Sequence, residues 1–172
     1  MINLQSLSAR FFFFSVFIFI AFFLQSSTLY HQFLSFYKIS FVFPFLLLSI
    51  FFLPAWSSFS IILITAFFVD ITSSNLDGIY IFSYFFSLLP IYFFADKVKQ
   101  DFFLPVFLIT FLSCYIIKTF LEMFTHSLFY NFGQAFLHFR NKGSLEIILN
   151  TVFSLFSFLI VRFFIKDDRL EM

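Results

Sequence analysis

The chain has 172 residues and a formal net charge of +1; 62% of its residues are apolar and only 11% are charged. A water-soluble domain carries about 25% charged residues, so the composition excludes an ordinary soluble domain. The near-neutral charge also excludes a polybasic protein that binds nucleic acid. Cys114 is the single cysteine, which excludes a disulfide framework and a cysteine-based metal site.

Long stretches without charge indicate membrane spans. No Asp, Glu, Lys or Arg lies between Arg10 and Lys38, between Lys38 and Asp70, or between Asp101 and Lys118. A lipid bilayer accommodates such apolar segments, and about 20 apolar residues span it as a helix. We therefore predict one all-α transmembrane domain that comprises the whole chain, 1–172, with six helices at about 11–30, 39–54, 57–72, 78–95, 102–124 and 145–165.

The first apolar segment resembles a signal peptide, because Arg10 precedes the apolar run 11–24. The following residues, 25–28, offer no small-residue cleavage site. We interpret the segment as an uncleaved first helix.

The uncharged block 39–69 is too long for one span and is divided by the segment that contains Pro54 and Trp56. Proline is predicted to end the second helix, and Trp56 suits the headgroup level. Ser57 or Ser58 is predicted to cap the third helix. Both helices are short, so we expect them either to thin the bilayer locally or to pack inside the bundle.

Asp70 and Gly78 bracket the polar turn between the third and fourth spans. Glycine adopts positive φ without strain, so Gly78 is predicted to do so in this turn. Asp70 has three alternative roles. It caps the turn, it pairs with a cation such as Arg162, or it is a coupling carboxylate of a transporter.

The fifth span contains Lys118 and Glu122, which share a helix face because they are four residues apart. His126 continues this face. A charge at the centre of a span costs about 2.5–3.5 kcal/mol, so the pair is predicted to be a buried polar latch or a self-neutralising pair whose lysine reaches the interface. A proton or ion pathway is the alternative. The three histidines have no metal-ligand spacing, and we expect no metal site.

The sixth span carries a polar stripe at helical spacing, formed by Glu146, Asn150, Ser154 and Ser157. Such residues pack closely and form hydrogen bonds between membrane helices. We therefore favour a packing role; the alternative is that the stripe lines a cavity for a small ligand. Arg162 lies near the end of the same span.

The loop cations predict the orientation of the chain. With six spans and a cytoplasmic N-terminus, more cations lie inside than outside, which is the usual bias. We therefore expect both termini in the cytoplasm. The inside set is Arg10, Lys97, Lys99, Arg162, Lys166 and Arg169, and the outside set is Lys38, Arg140 and Lys142.

The order of these polar interruptions resembles that of the rod shape-determining MreD family. In segment 67–80, FFVDITSSNLDGIY, an apolar helix ends at Asp70 and a short polar loop leads to Gly78. This segment is similar to the family's hallmark. The remaining likeness lies in residues 43–48 of the second helix, in Leu121-Glu122 of the fifth, and in residues 148–151 with Arg162 of the last.

The resemblance implies a non-enzymatic subunit of the bacterial elongation machinery in the inner membrane. Members of that family bind the bitopic scaffold protein MreC and, through it, link MreB filaments to the transmembrane peptidoglycan synthases. Their fold is thought to resemble the substrate-binding subunits of energy-coupling-factor transporters. The resemblance implies no cofactor. Nothing in the sequence argues for an enzyme, since glycine-rich phosphate loops and hydrolase motifs are absent from it.

Two other functions remain as alternatives. The first is a substrate-binding membrane subunit of an energy-coupling-factor vitamin transporter, in which Lys118, Glu122, Asn150 and Trp56 would line the ligand cavity. The second is a purely structural membrane protein without an MreC-like partner.

Overall fold

The computed structural model describes residues 6–26, 39–72, 78–98, 104–129 and 144–165. The prediction of an all-α protein is confirmed for these residues, which form six helices. The helices are α1 (Leu7–Ser26), α2 (Val42–Phe52), α3 (Ala55–Thr72), α4 (Ile79–Val98), α5 (Leu104–Phe129) and α6 (Ser144–Phe164).

Four of these helices are long and apolar enough to cross a membrane: α1, α3, α5 and α6. Their outer faces carry many large apolar side chains that no other part of the described structure covers, among them Phe12, Phe120 and Phe163. Water would oppose this exposure, whereas lipid tails tolerate it. The structure is therefore compatible with a multi-pass membrane protein.

Helix α2 lies at the centre of the bundle. It has 11 residues, and all of them are buried. At 1.5 Å per residue it is about 16 Å long, much shorter than the ~30 Å hydrocarbon core. It packs against α1, α3, α4 and α6, and its Phe43 contacts two rings of α5, Phe111 and Tyr115. Of the two helices expected to be short, the first therefore packs inside the bundle.

The other five helices form a closed series of neighbours around α2. Successive contacts join α1 to α3, α3 to α4, α4 to α5 and α5 to α6. Phenylalanine rings complete the series between α1 and α6, since Phe13 and Phe17 lie 5.5 and 5.9 Å from the ring of Phe164. Helix α2 is therefore the apolar centre of the bundle, and the outer faces of its neighbours remain exposed.

The junction between α2 and α3 differs from the prediction. Helix α3 begins at Ala55, directly after Pro54, and the backbone N–H of Ser58 already donates to the Pro54 carbonyl at 3.1 Å. Ser58 is therefore not an N-cap. Its buried hydroxyl donates to the Ser49 carbonyl at 2.9 Å instead. This carbonyl also accepts from the backbone N–H of Leu53, and the second hydrogen bond joins the end of α2 to α3.

Other helix ends also differ from the predicted spans. Helix α1 begins at Leu7 rather than at about 11, and α5 continues to Phe129 rather than ending at about 124. Helix α4 continues to Val98 rather than ending at about 95. The residues predicted to end the first span, 27–30, lie outside the described residues.

Candidate functional site

Polar side chains from four segments meet inside the bundle, and we call this group the polar core. They are buried among apolar side chains, where each hydrogen bond and charge pair is worth more than in water. The polar core consists of Ser40 before α2, Tyr84 on α4, Tyr115, Lys118 and Glu122 on α5, and Glu146 and Asn150 on α6.

The ion pair of the polar core joins Lys118 and Glu122. The Nζ atom of Lys118 lies 2.7 Å from Oε1 of Glu122, and both side chains are buried. The predicted pairing at i, i+4 is therefore confirmed. Lys118 is only 5% exposed and lies near the middle of α5, so its ammonium group stays inside the bundle.

Three aromatic rings surround the ammonium group, and we call them the aromatic cage. The Nζ atom of Lys118 lies 5.8 Å from the ring centroid of Phe43, 5.3 Å from that of Tyr84 and 5.4 Å from that of Tyr115. A desolvated cation over a ring face gains about 2 kcal/mol or more. Because the rings belong to α2, α4 and α5, Lys118 stabilises the contact between these three helices.

A chain of hydrogen bonds joins α5, α6 and the start of α2. The hydroxyl of Tyr115 donates to Oε1 of Glu146 at 2.8 Å and accepts from Nδ2 of Asn150 at 3.0 Å. Oδ1 of Asn150 accepts from the backbone N–H of Ser40 at 2.8 Å. Asn150 is completely buried. Its side-chain amide both donates and accepts, and it therefore holds the backbone at Ser40, just before α2, against α6.

The rest of the stripe on α6 has a different role. Ser154 and Ser157 are completely buried, but their hydroxyls donate to carbonyls of their own helix, those of Thr151 and Phe153. They act as small residues that allow close helix packing. In the predicted stripe, the hydrogen bonds to other segments come from Glu146 and Asn150.

Asp70 caps the fourth helix from the end of the third. Its Oδ1 accepts from the backbone N–H of Tyr80 and its Oδ2 from that of Ile81, each at 2.9 Å. These N–H groups belong to the first turn of α4, where they have no partner within the helix and where the helix dipole favours an anion. Of the three alternative roles, the structure gives Asp70 the first.

Gly78 has the positive φ that was predicted, +69°. A Cβ atom at this position would meet nothing within 4 Å. The preference for glycine therefore comes from the backbone conformation and not from crowding. Gly78 and Asp70 together set the path of the chain from α3 into α4.

Two of the alternative placements do not agree with the structure. Arg162 is exposed near the end of α6 and does not pair with Asp70, whose carboxylate faces the start of α4. Trp56 is 83% exposed at the beginning of α3, so it cannot line an internal cavity; its position does suit the interface. The side chain of His126 lies outside the described residues. Among the residues that the structure describes, no group of three metal-ligating side chains occurs.

Several members of the polar core and the aromatic cage were not predicted from the sequence. Tyr115 was detectable in principle, because it precedes Lys118 by three residues and therefore lies on the same helix face. Phe43, Tyr84 and Ser40 had no such signal, since they reach Lys118 and Asn150 only through tertiary packing.

Comparison with known proteins does not identify a relative: no family model, no curated protein and no solved structure matches this chain. What the fold defines is the class, a helical protein with at least four helices fit to span a membrane. Any finer assignment depends on the geometry of Asp70, Gly78 and the polar core.

Proposed function

We propose that the chain is a non-enzymatic, six-helix membrane subunit of the bacterial cell-elongation complex, similar to the MreD family. It lies in the inner membrane with both termini in the cytoplasm. It docks an MreC-like bitopic scaffold and so helps to position peptidoglycan synthesis, with MreB filaments and transmembrane synthases as indirect partners.

The observation that carries the proposal is the turn between α3 and α4. The residues that give the segment its likeness to the MreD family are Asp70 and Gly78, and each has a defined structural task. Asp70 accepts two backbone hydrogen bonds from α4, and Gly78 has a positive φ. A likeness at residues with such tasks is a stronger support than one at interchangeable apolar positions.

The polar core supports a structural rather than a catalytic role. Its cation–ring contacts and hydrogen bonds join α2, α4, α5 and α6 to one another. The polar stripe of α6 is buried by these contacts and is not available to a partner helix. A single-span partner in the membrane therefore packs against the apolar outer faces of the bundle, by close van der Waals contact.

The experiment that tests the proposal is depletion of the protein in its native bacterium, followed by microscopy of cell shape and of wall insertion. We expect rod-shaped cells to become round and wall synthesis to scatter. Re-expression of the wild-type chain is the control and restores the rods. Capture of an MreC-like protein with the tagged chain tests the partner. Normal shape after complete depletion contradicts the proposal.

The transporter subunit remains the second candidate, and one observation favours it. Lys118, Glu122 and Asn150, three of its four expected ligand contacts, converge in the polar core. The ammonium group of Lys118 is already bonded to Glu122, so a ligand has to compete with this ion pair. A vitamin-uptake defect without a change of cell shape in the depleted strain decides for the transporter.

A further inference from the structure

The surroundings of Lys118 are those of a bound cation. A carboxylate oxygen lies 2.7 Å from its Nζ atom, and three ring faces lie within 6 Å. Aromatic cages beside an anionic group are a general means of recognising ammonium ligands. Here the ammonium group reaches the cage on an aliphatic stem that belongs to the same chain.

We propose that the centre of the bundle is a binding site for a primary alkylammonium ion, which the chain fills with its own Lys118. The inference is independent of the cell-elongation proposal, since it concerns only the chemistry of the cage. It means that the site exists as a property of the fold and that a free alkylammonium ion can take the place of a shortened Lys118 side chain.

The cage is held in place by contacts other than those of Lys118. Phe43 packs edge-on against Tyr84 at 5.6 Å and against Phe111 at 6.0 Å. The hydroxyl of Tyr115 is bonded to Glu146 and Asn150. These side chains are buried, and tightly packed interiors relax only partly when one side chain is shortened. The cage should therefore persist in a variant that lacks the lysine stem.

The atoms that Lys118→Ala removes indicate which ligand to test. The substitution removes three methylene groups and the ammonium group, and n-propylammonium supplies the same carbon and nitrogen atoms. It can fill the space of the stem, donate to Glu122 and lie over the rings. n-Propanol has nearly the same size but no charge, so it distinguishes ammonium recognition from the filling of a cavity.

The experiment measures the thermal unfolding midpoint of the full-length protein in detergent or lipid while n-propylammonium is added. We expect a lower midpoint for Lys118→Ala, which rises saturably with n-propylammonium and rises little with n-propanol. Ligand that binds only the folded state stabilises it in this manner. The wild-type protein should show no such rise, because Lys118 fills the site.

Three further variants act as controls. Ile116→Ala, on the lipid-facing side of the same helix, should show no response to the amine. Lys118→Met fills the cage without charge and should fold but not respond. Lys118→Ala with Glu122→Gln should lose most of the response, because the anionic partner is gone.

Two results would contradict the proposal. Equal stabilisation of Lys118→Ala by n-propanol and n-propylammonium means a cavity without ammonium recognition. No stabilisation by either means that the cage does not persist. If Lys118→Ala does not fold alone, the yield of folded protein after refolding with each compound replaces the midpoint, and the same comparison decides.

Discussion

Removal of the Asp70 carboxylate is the most direct test of how the α3–α4 turn is held. In Asp70→Ala the backbone N–H groups of Tyr80 and Ile81 lose their acceptors, two bonds of 2.9 Å. Hydrogen bonds to charged groups contribute about 1.5–3 kcal/mol each, which gives an upper range of about 3–6 kcal/mol for the pair.

The partial exposure of the first turn of α4 lowers this range. Tyr80 and Ile81 are partly exposed, so water can reach their N–H groups and replace part of what is lost. Loss of an ordinary N-cap costs about 0.5–2 kcal/mol. We therefore expect Asp70→Ala to lower the free energy of unfolding by about 3 kcal/mol, which is more than a hundredfold in the folding equilibrium.

The variant Asp70→Asn tests how much of the stabilisation remains when only one of the two hydrogen bonds can form. Asparagine retains one acceptor oxygen and loses the charge, so we expect a loss of about half that of the alanine variant. Thr72→Val is the matched control: Thr72 is exposed, and its hydroxyl donates only to carbonyls of its own helix, those of Phe68 and Val69. Its effect should stay within about 0.5 kcal/mol.

The assay is reversible denaturant unfolding of the purified protein in detergent micelles, with helix content as the signal. The same series read in cells, as the amount of protein in the membrane, should follow the same order. An Asp70→Ala variant as stable as Thr72→Val would refute the capping argument.

Three other predictions concern the polar core and Gly78. Glu122→Ala leaves the buried ammonium group of Lys118 unpaired and should lower the free energy of unfolding by about 3–5 kcal/mol. Adding Lys118→Ala should restore part of this loss. Strictly additive losses in the double-mutant cycle would contradict the pairing. Asn150→Leu leaves the N–H of Ser40 without its acceptor. It should lower the free energy of unfolding by about 3 kcal/mol, because each buried group left unsatisfied costs about 1–3 kcal/mol. If Asn150→Leu is as stable as Ser154→Ala, Asn150 does not have this structural role. Gly78→Ala should cost about 1–2 kcal/mol, the penalty of a left-handed conformation, while Gly78→Asn should cost less and Gly78→Val more. Equal stability of all three variants at position 78, measured by the same unfolding assay, would show that the positive φ is not needed.

Two features of the structure could be predicted from the sequence alone. The Lys118–Glu122 pair follows from helix periodicity alone, because side chains four residues apart lie on one face of any α-helix. The positive φ of Gly78 was predicted from the polar sequence that precedes it, and the structure confirms it. Both features are local, so no knowledge of the neighbouring helices was required.

The partner of the Asp70 carboxylate could not be predicted from the sequence alone. Its sequence position allowed a cap or an ion pair with Arg162, and nothing local distinguishes the two. The choice depends on where α4 begins relative to the end of α3. The N–H groups of the first turn of α4 have no acceptor within their own helix and lie within reach of the carboxylate, to which they donate.

By itself the sequence determined the class of protein, since long charge-free stretches are stable only in an apolar environment. It also determined which charges are exceptional and which of them are neighbours on one helix. Only the tertiary structure decided that α2 is a short central helix and that Phe43, Tyr84 and Tyr115 enclose Lys118. The reason is physical: periodicity specifies which face of a helix is buried, whereas the side chains that meet there are chosen by how all the helices pack together.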